Sequence, residues 1–259
     1  MCEKTQAELL KEELFYSAQH ASYTCEDDEI AVADDFCEGY KDFLDSCKTE
    51  REAVVFVKEL AERNGYEPFN PDAVYEAGDK VYSVIRSKAL ILCTFGEKGL
   101  ENGAKIVASH IDSPRLDLKP NPLYEDSSIA YFKTHYYGGI RKYQWVATPL
   151  ALHGVVIKAD GKSVWVSIGE DPADPVLYIN DLLPHLGHND DRKPLGEAIP
   201  GEKLNLLVGS RPLVNEADGI KLNVLRILNE KYGICEEDFL SAELSAVPVG
   251  NARDVGLDR

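Results

Sequence analysis

The sequence predicts an α/β protein that is helix-rich at first and mainly β from about residue 120. Three observations carry this. Apolar residues recur at helical spacing three times before residue 65, and short runs of Val, Ile, Leu and Tyr bounded by turn residues dominate later. Between the two textures stands Pro120-Asn-Pro122, which reads as a domain crossing.

Taken in order, residues 5–20 predict a helix with Leu10, Leu14 and Ala18 on one stripe. Residues 28–46 predict a second, with Ile30, Ala33, Cys37, Tyr40 and Leu44 at helical spacing. The third has the clearest limits. Thr49 and Glu52 form a capping-box pattern, Ala53, Phe56, Val57, Leu60 and Ala61 form an apolar stripe, and Gly65 suits a left-handed stop. Lys80–Arg86 and Ala89–Phe95 read as strands. The loop Gly96–Gly103 is glycine-rich but precedes no helix and lacks Gly-Lys-Ser/Thr, so it is a turn and not a phosphate cradle. Ile106-Val107-Ala108 then reads as a buried strand ended by Ser113-Pro114.

Beyond residue 120, Ile129–Tyr136 is strand-like, and Val155–Lys158 and Val164–Ile168 flank an Asp160-Gly161 hairpin turn. Leu204–Val208 is another apolar run. Lys221–Lys231 predicts a helix stopped by Gly233, with Ile220, Val224, Ile227 and Leu228 on its face. Leu240, Ala242, Leu244 and Ala246 alternate with polar residues, as in a half-buried strand.

The 259 residues allow a large core and two domains. Forty-five acidic residues against 28 basic ones give a net charge of −17, which repels phosphate backbones and argues against a nucleic-acid partner. The six cysteines include no C-x-x-C pair and do not form a compact disulfide pattern. The charged start Met1-Cys-Glu-Lys-Thr-Gln6 is not a secretory signal, and no apolar run reaches membrane-spanning length. A reduced, cytoplasmic protein is expected.

The chemistry centres on His110 and Asp112. Alternate residues of an extended segment share a face, so the two point the same way. In open α/β sheets, ligands bind just outside the carboxyl ends of strands. A neutral imidazole there can bind zinc, with a carboxylate fixing its tautomer. The same triplet also fits a strand-end histidine that is merely satisfied by its neighbour. Ser113 beside them does not make a nucleophilic triad, because adjacent residues of one strand cannot easily reach that geometry and no Gly-x-Ser-x-Gly elbow is present. Tyr136–Trp145 reads as strand, Gly-Gly bend and strand with packed aromatics. His185-Leu-Gly-His188-Asn-Asp-Asp191 reads as a solvated loop.

Four segments together resemble the zinc aminopeptidases of the aspartyl aminopeptidase and aminopeptidase I family, in its bacterial branch. They are Ala108-Ser-His-Ile-Asp-Ser-Pro-Arg-Leu-Asp117, Tyr137-Gly-Gly-Ile-Arg-Lys-Tyr-Gln-Trp-Val-Ala-Thr-Pro-Leu-Ala-Leu-His-Gly154, Asp181-Leu-Leu-Pro-His-Leu186 and Ala252-Arg-Asp-Val-Gly-Leu-Asp-Arg259. The resemblance implies a mixed zinc-peptidase sheet with flanking helices, interrupted by an inserted, mainly β dimerisation domain. Residues 1–119 would belong to the peptidase domain, 120–246 to the insert, and 247–259 to the return. It implies His110 as a zinc ligand, Asp112 as the carboxylate that orients it, and His185 as a histidine lent to a neighbouring subunit's active site.

The resemblance further implies two zinc ions that acidify a bridging water and polarise a peptide carbonyl, with a glutamate moving protons. The partners would be a peptide substrate and copies of the same chain, as dimers and up to dodecamers. The family's bridging aspartate, its Glu-Glu pair and its other ligands lie further along than Arg259, and Asp258 precedes the bridging position. The expectation is therefore an incomplete amino-terminal portion with little or no activity alone. The alternative is a non-catalytic oligomerisation module of the same descent.

Overall fold

The computed structural model describes residues 4–188 and 192–257. The chain divides into two compact units, residues 1–42 and 43–259. The first unit holds helix α1 (Gln6–Leu14) and most of helix α2 (Asp27–Ser46). Thr5 and Glu8 cap α1 reciprocally, but the helix ends at Phe15, which is extended (φ −95°, ψ 128°). The expected helix over 5–20 is thus cut short. Nine residues are too few to sustain a helix without a packed face, and none of the nine is buried. Helix α2 follows the expected bounds.

In the second unit, helix α3 (Glu50–Arg63) starts at the Thr49–Glu52 capping box. It stops where Gly65 turns left-handed (φ +81°) and the Tyr66 N–H reaches back to the Ala61 carbonyl. Its buried residues are Ala53, Val54 and Ala61, while Leu60 of the expected stripe is exposed. A three-stranded sheet follows: β1 (Glu67–Pro68), β2 (Lys80–Ile85) and β3 (Ala89–Thr94), in that order. Arg86 and Ser87 both take positive φ between β2 and β3, giving a tight hairpin turn without glycine.

The main sheet has six strands: β4 (Arg115–Asp126), β5 (Ile129–Tyr137), β6 (Leu150–Ile157), β7 (Ser163–Ile168), β8 (Leu206–Gly209) and β9 (Ala242–Pro248). Their order is β7-β6-β9-β4-β5-β8, with every neighbouring pair antiparallel. The expected β6–β7 hairpin is present, with Gly161 at φ +81°. Two single helical turns, α4 (Pro184–Gly187) and α5 (Leu195–Ala198), precede β8, and helix α6 (Gly219–Tyr232) precedes β9.

The register explains the layering. Leu116, Ala246 and Leu152 lie side by side across β4, β9 and β6, all essentially without exposure. They join Leu123, Phe132, Leu206 and the Ile220, Val224 and Leu228 face of α6 in one apolar core. One residue along each strand, Asp117, Ser245 and His153 form the next row, on the opposite face. There the amino-terminal end of α3 meets the sheet: Arg51 pairs with Glu243 at 2.7 Å and Glu52 meets His153 at 2.9 Å.

Sequence expectations for three further segments are corrected. Strand β9 is not half-buried: Leu244 to Val247 are all buried, because the residues at the start of α3 cover the polar row. Strand β4 runs through Pro120 and Pro122 at a register shift between Leu118 and Leu123 that absorbs the missing N–H groups. The strand expected at Ile106-Val107-Ala108 is absent, and Ile106 and Val107 are 84% and 99% exposed. Among the described residues no strand pairs with this segment, so its backbone has no ladder to join. The second strand expected after Gly138-Gly139 is likewise a short 3₁₀ turn, Lys142–Gln144, followed by buried Trp145.

Candidate functional site

His110 and Asp112 lie in the extended segment that leads into β4. As the period-2 reading expects, they meet. His110 Nδ1 is 2.8 Å from the Asp112 carbonyl oxygen and 3.2 Å from its Oδ1. A carbonyl oxygen only accepts, so Nδ1 carries the proton and a neutral ring keeps its lone pair on Nε2. The imidazole is 82% exposed, so it is not a core histidine.

Two residues that sequence reasoning did not single out complete the arrangement. Tyr137 is the last residue of β5, directly opposite Arg115, the first of β4. Its hydroxyl donates to Asp112 Oδ2 at 2.7 Å. That hydrogen bond, then backbone donation and the neighbouring ring, hold the Asp112 carboxyl below the usual carboxylate range. The Arg115 guanidinium lies 4.0 Å from the centre of the Tyr137 ring. Arg115 is itself buried, with Nε donating to Asp117 at 2.7 Å and Nη2 to Glu50 of α3 at 3.2 Å. Arg115 and Tyr137 both lie in segments that carry the family resemblance, but the cross-strand register that brings Tyr137 to Asp112 is not local.

A second cluster also escaped the sequence reading. His153 sits in an otherwise apolar strand, 5% exposed, with Nδ1 2.9 Å from Glu52 and Nε2 3.1 Å from Glu170. Burial alone would push the ring's pKa down. The hydrogen bonds and charges of Glu52 and then Glu170 outweigh it, so the ring titrates above its ordinary value. Burial likewise disfavours the Glu52 anion, but donation from His153, Thr49 and Lys48 holds its pKa below the usual range.

His185 lies on the single turn α4 and is exposed. No hydrogen bond or ion pair joins it to His110 or Asp112 among the described residues. Of the loop that follows it, Asn189 to Asp191 lie outside the described residues, as does Asp258. Among the described residues, no group of three or more His, Cys, Asp and Glu side chains could hold a metal ion. The donor chemistry of His110 fits one zinc ligand.

Comparison with known proteins gives this pair a context. The description "Aminopeptidase I zinc metalloprotease (M18)" belongs to the family whose sequence pattern matches residues 43–259. A probable M18 family aminopeptidase 1 of Clostridium acetobutylicum is 51% identical over 226 residues, covering 85% of this chain and 49% of that protein. The Thermotoga maritima relative is 47% identical over 225 residues, covering 86% and 49%. A crystal structure of an M18 family aminopeptidase from Thermotoga maritima superposes with a TM-score of 0.87 at 43% identity, covering 94% of this chain and 53% of that one. Aminopeptidase I from Borrelia burgdorferi gives 0.82 at 36% identity, covering 93% and 55%.

The description of the matching family defines a class, the zinc metalloproteases. The chain belongs to the aminopeptidase I (M18) family of zinc metalloproteases. It spans about half the length of the curated relatives it matches.

Proposed function

We propose that this chain supplies the His110 ligand of a two-zinc aminopeptidase site that releases amino-terminal residues from peptides. The observation that supports it is the Nδ1–H bond from His110 to Asp112, which leaves Nε2 free in an exposed position. Zinc, when bound, would supply a Lewis acid and an acidified water. Asp112 orients the ring by accepting the hydrogen bond that Nδ1–H donates. His185, exposed on α4, would reach a neighbouring subunit's site.

The same reading divides the chain into a peptidase part (1–119), a β-rich dimerisation insert (120–246) and a return (247–259). It assembles the protein through the insert as a homo-oligomer of dimers, in the cytoplasm. A catalytic zinc needs about three protein ligands, and the described residues hold no group of three or more His, Cys, Asp and Glu that could bind one, which supports the reading that this polypeptide by itself turns over little or nothing.

Hydrolysis of aminoacyl chromogenic substrates by the pure 259-residue chain, with added zinc or cobalt, tests this. Robust hydrolysis that a chelator abolishes would overturn the inactivity. Zinc that leaves the His110 ring signals unmoved in NMR would overturn its role as a ligand.

A further inference from the structure

An imidazole as exposed as His110 is not held by packing. Water competes for its Nδ1–H, and χ rotation can carry the ring away from any fixed direction. Among the described residues its hydrogen bonds run to one residue, Asp112, through the carbonyl oxygen and Oδ1. Asp112 is a short side chain on a segment with no ladder partner among the described residues, so something must hold Asp112 in turn.

Its other oxygen, Oδ2, accepts the Tyr137 hydroxyl at 2.7 Å, a short charge-assisted bond. With Oδ1 turned to the ring and Oδ2 to the phenol, the carboxylate is fixed at both ends. The phenol is fixed as well. Tyr137 is a strand residue in register with Arg115, and the guanidinium covers its ring face at 4.0 Å. Arg115 is anchored by Asp117 on its own strand and by Glu50 in the first turn of α3. Gly138, at φ +81°, turns the chain away directly after the phenol.

We infer that Tyr137 is a positioning residue for His110. Its hydroxyl locks the Asp112 carboxylate, which locks the ring as the Nδ1–H tautomer with Nε2 presented outward, and Arg115 keeps the phenol in place. A path of contacts thus runs from α3 through Arg115, Tyr137 and Asp112 to the histidine. The role as a metal ligand rests on the function proposed above. The positioning itself concerns only atoms of this chain and can be read without metal.

Tyr137→Phe is the informative change, because it keeps the ring under Arg115 and removes only the donor. In the 259-residue chain labelled with ¹⁵N-histidine, at about pH 8 where an ordinary imidazole is neutral, wild-type His110 should show mainly the Nδ1–H form. It is assigned by His110→Gln. In Tyr137→Phe that form should lose its dominance and the two nitrogen shifts should converge, while the His153 signals stay in place as the control for folding. Arg115→Lys should move His110 the same way by less.

Zinc added to the wild type should shift Nε2 of His110, and its apparent affinity should fall about tenfold in Tyr137→Phe, the size typical of removing an outer partner of a metal ligand. Unchanged His110 nitrogen shifts in Tyr137→Phe would overturn the positioning role. Shifts that respond to Tyr137→Phe but not to zinc would uphold it and overturn the metal reading.

Discussion

Replacing His153 by alanine should destabilise the second unit strongly, and the size of the loss should depend on pH. The ring bridges two carboxylates, at 2.9 Å to Glu52 and 3.1 Å to Glu170. Ionised carboxylates only accept, so both ring nitrogens donate and the imidazole is charged. Removing it deletes two charge-assisted hydrogen bonds and leaves two carboxylates facing an empty space. Breaking a buried pair in this way costs about 3–5 kcal/mol. The lower end applies here. Glu52 keeps the Lys48 and Thr49 backbone N–H groups, Glu170 keeps that of Gly250, and their side chains are 19% and 22% exposed.

About 3 kcal/mol lowers the melting temperature by about 6–12 °C at this size. The folded His153 pKa lies above its ordinary 6.5, so its stabilisation is complete below that value and is lost as pH rises through the raised one. Glu52 works the other way: its contribution is present above its ordinary 4.5 and is lost as pH falls through the depressed value. Melting curves by circular dichroism should therefore show the largest gap between wild type and His153→Ala at mildly acidic pH, narrowing towards alkaline pH. A gap under about 1 °C, or one that does not change with pH, would refute this account of the cluster.

Three further outcomes follow from the packing. Gly154→Ala should prevent normal folding, seen as insoluble expression or loss of the cooperative melt. The backbone there is at φ +143°, and a Cβ would collide with the Glu243 carbonyl on β9. Leu116→Ala should cost about 2–5 kcal/mol by denaturant titration, because the side chain is fully enclosed between β9 and the core. Cys47 should react with thiol reagents far more slowly than exposed Cys25 and Cys37 at neutral pH. Burial first, and the Glu52 charge second, push its thiol up to about 12, which cuts its thiolate fraction about a thousandfold against an ordinary 9.0.

How much of this was legible depended on how local each determinant is. Helix α3 could be bounded from Thr49, Glu52 and Gly65 because a cap and a left-handed stop act within four residues. The Asp160-Gly161 hairpin was readable for the same reason. Ile106–Ala108 was misread because an apolar run shows only that a strand would be comfortable, whereas the strand exists only where a neighbour offers a ladder. The burial of β9 depended on α3, almost 200 residues away in sequence. At the candidate site the same division holds. His110 and Asp112 follow from a period of two, while Tyr137 reaches them only through the pairing of β4 with β5. His153 could have been suspected, as a lone polar group in Leu150–Ile157, but nothing local names Glu52 and Glu170 as its partners.

Glu52 has one oxygen in the cap of α3 and the other on a strand residue 101 positions away. The first turn of that helix therefore cannot fray without releasing the strand, and the strand cannot loosen without uncapping the helix. Hydrogen exchange at the start of α3 and in the middle of β6 should accordingly slow and quicken together, as a single cooperative unit joined through one carboxylate.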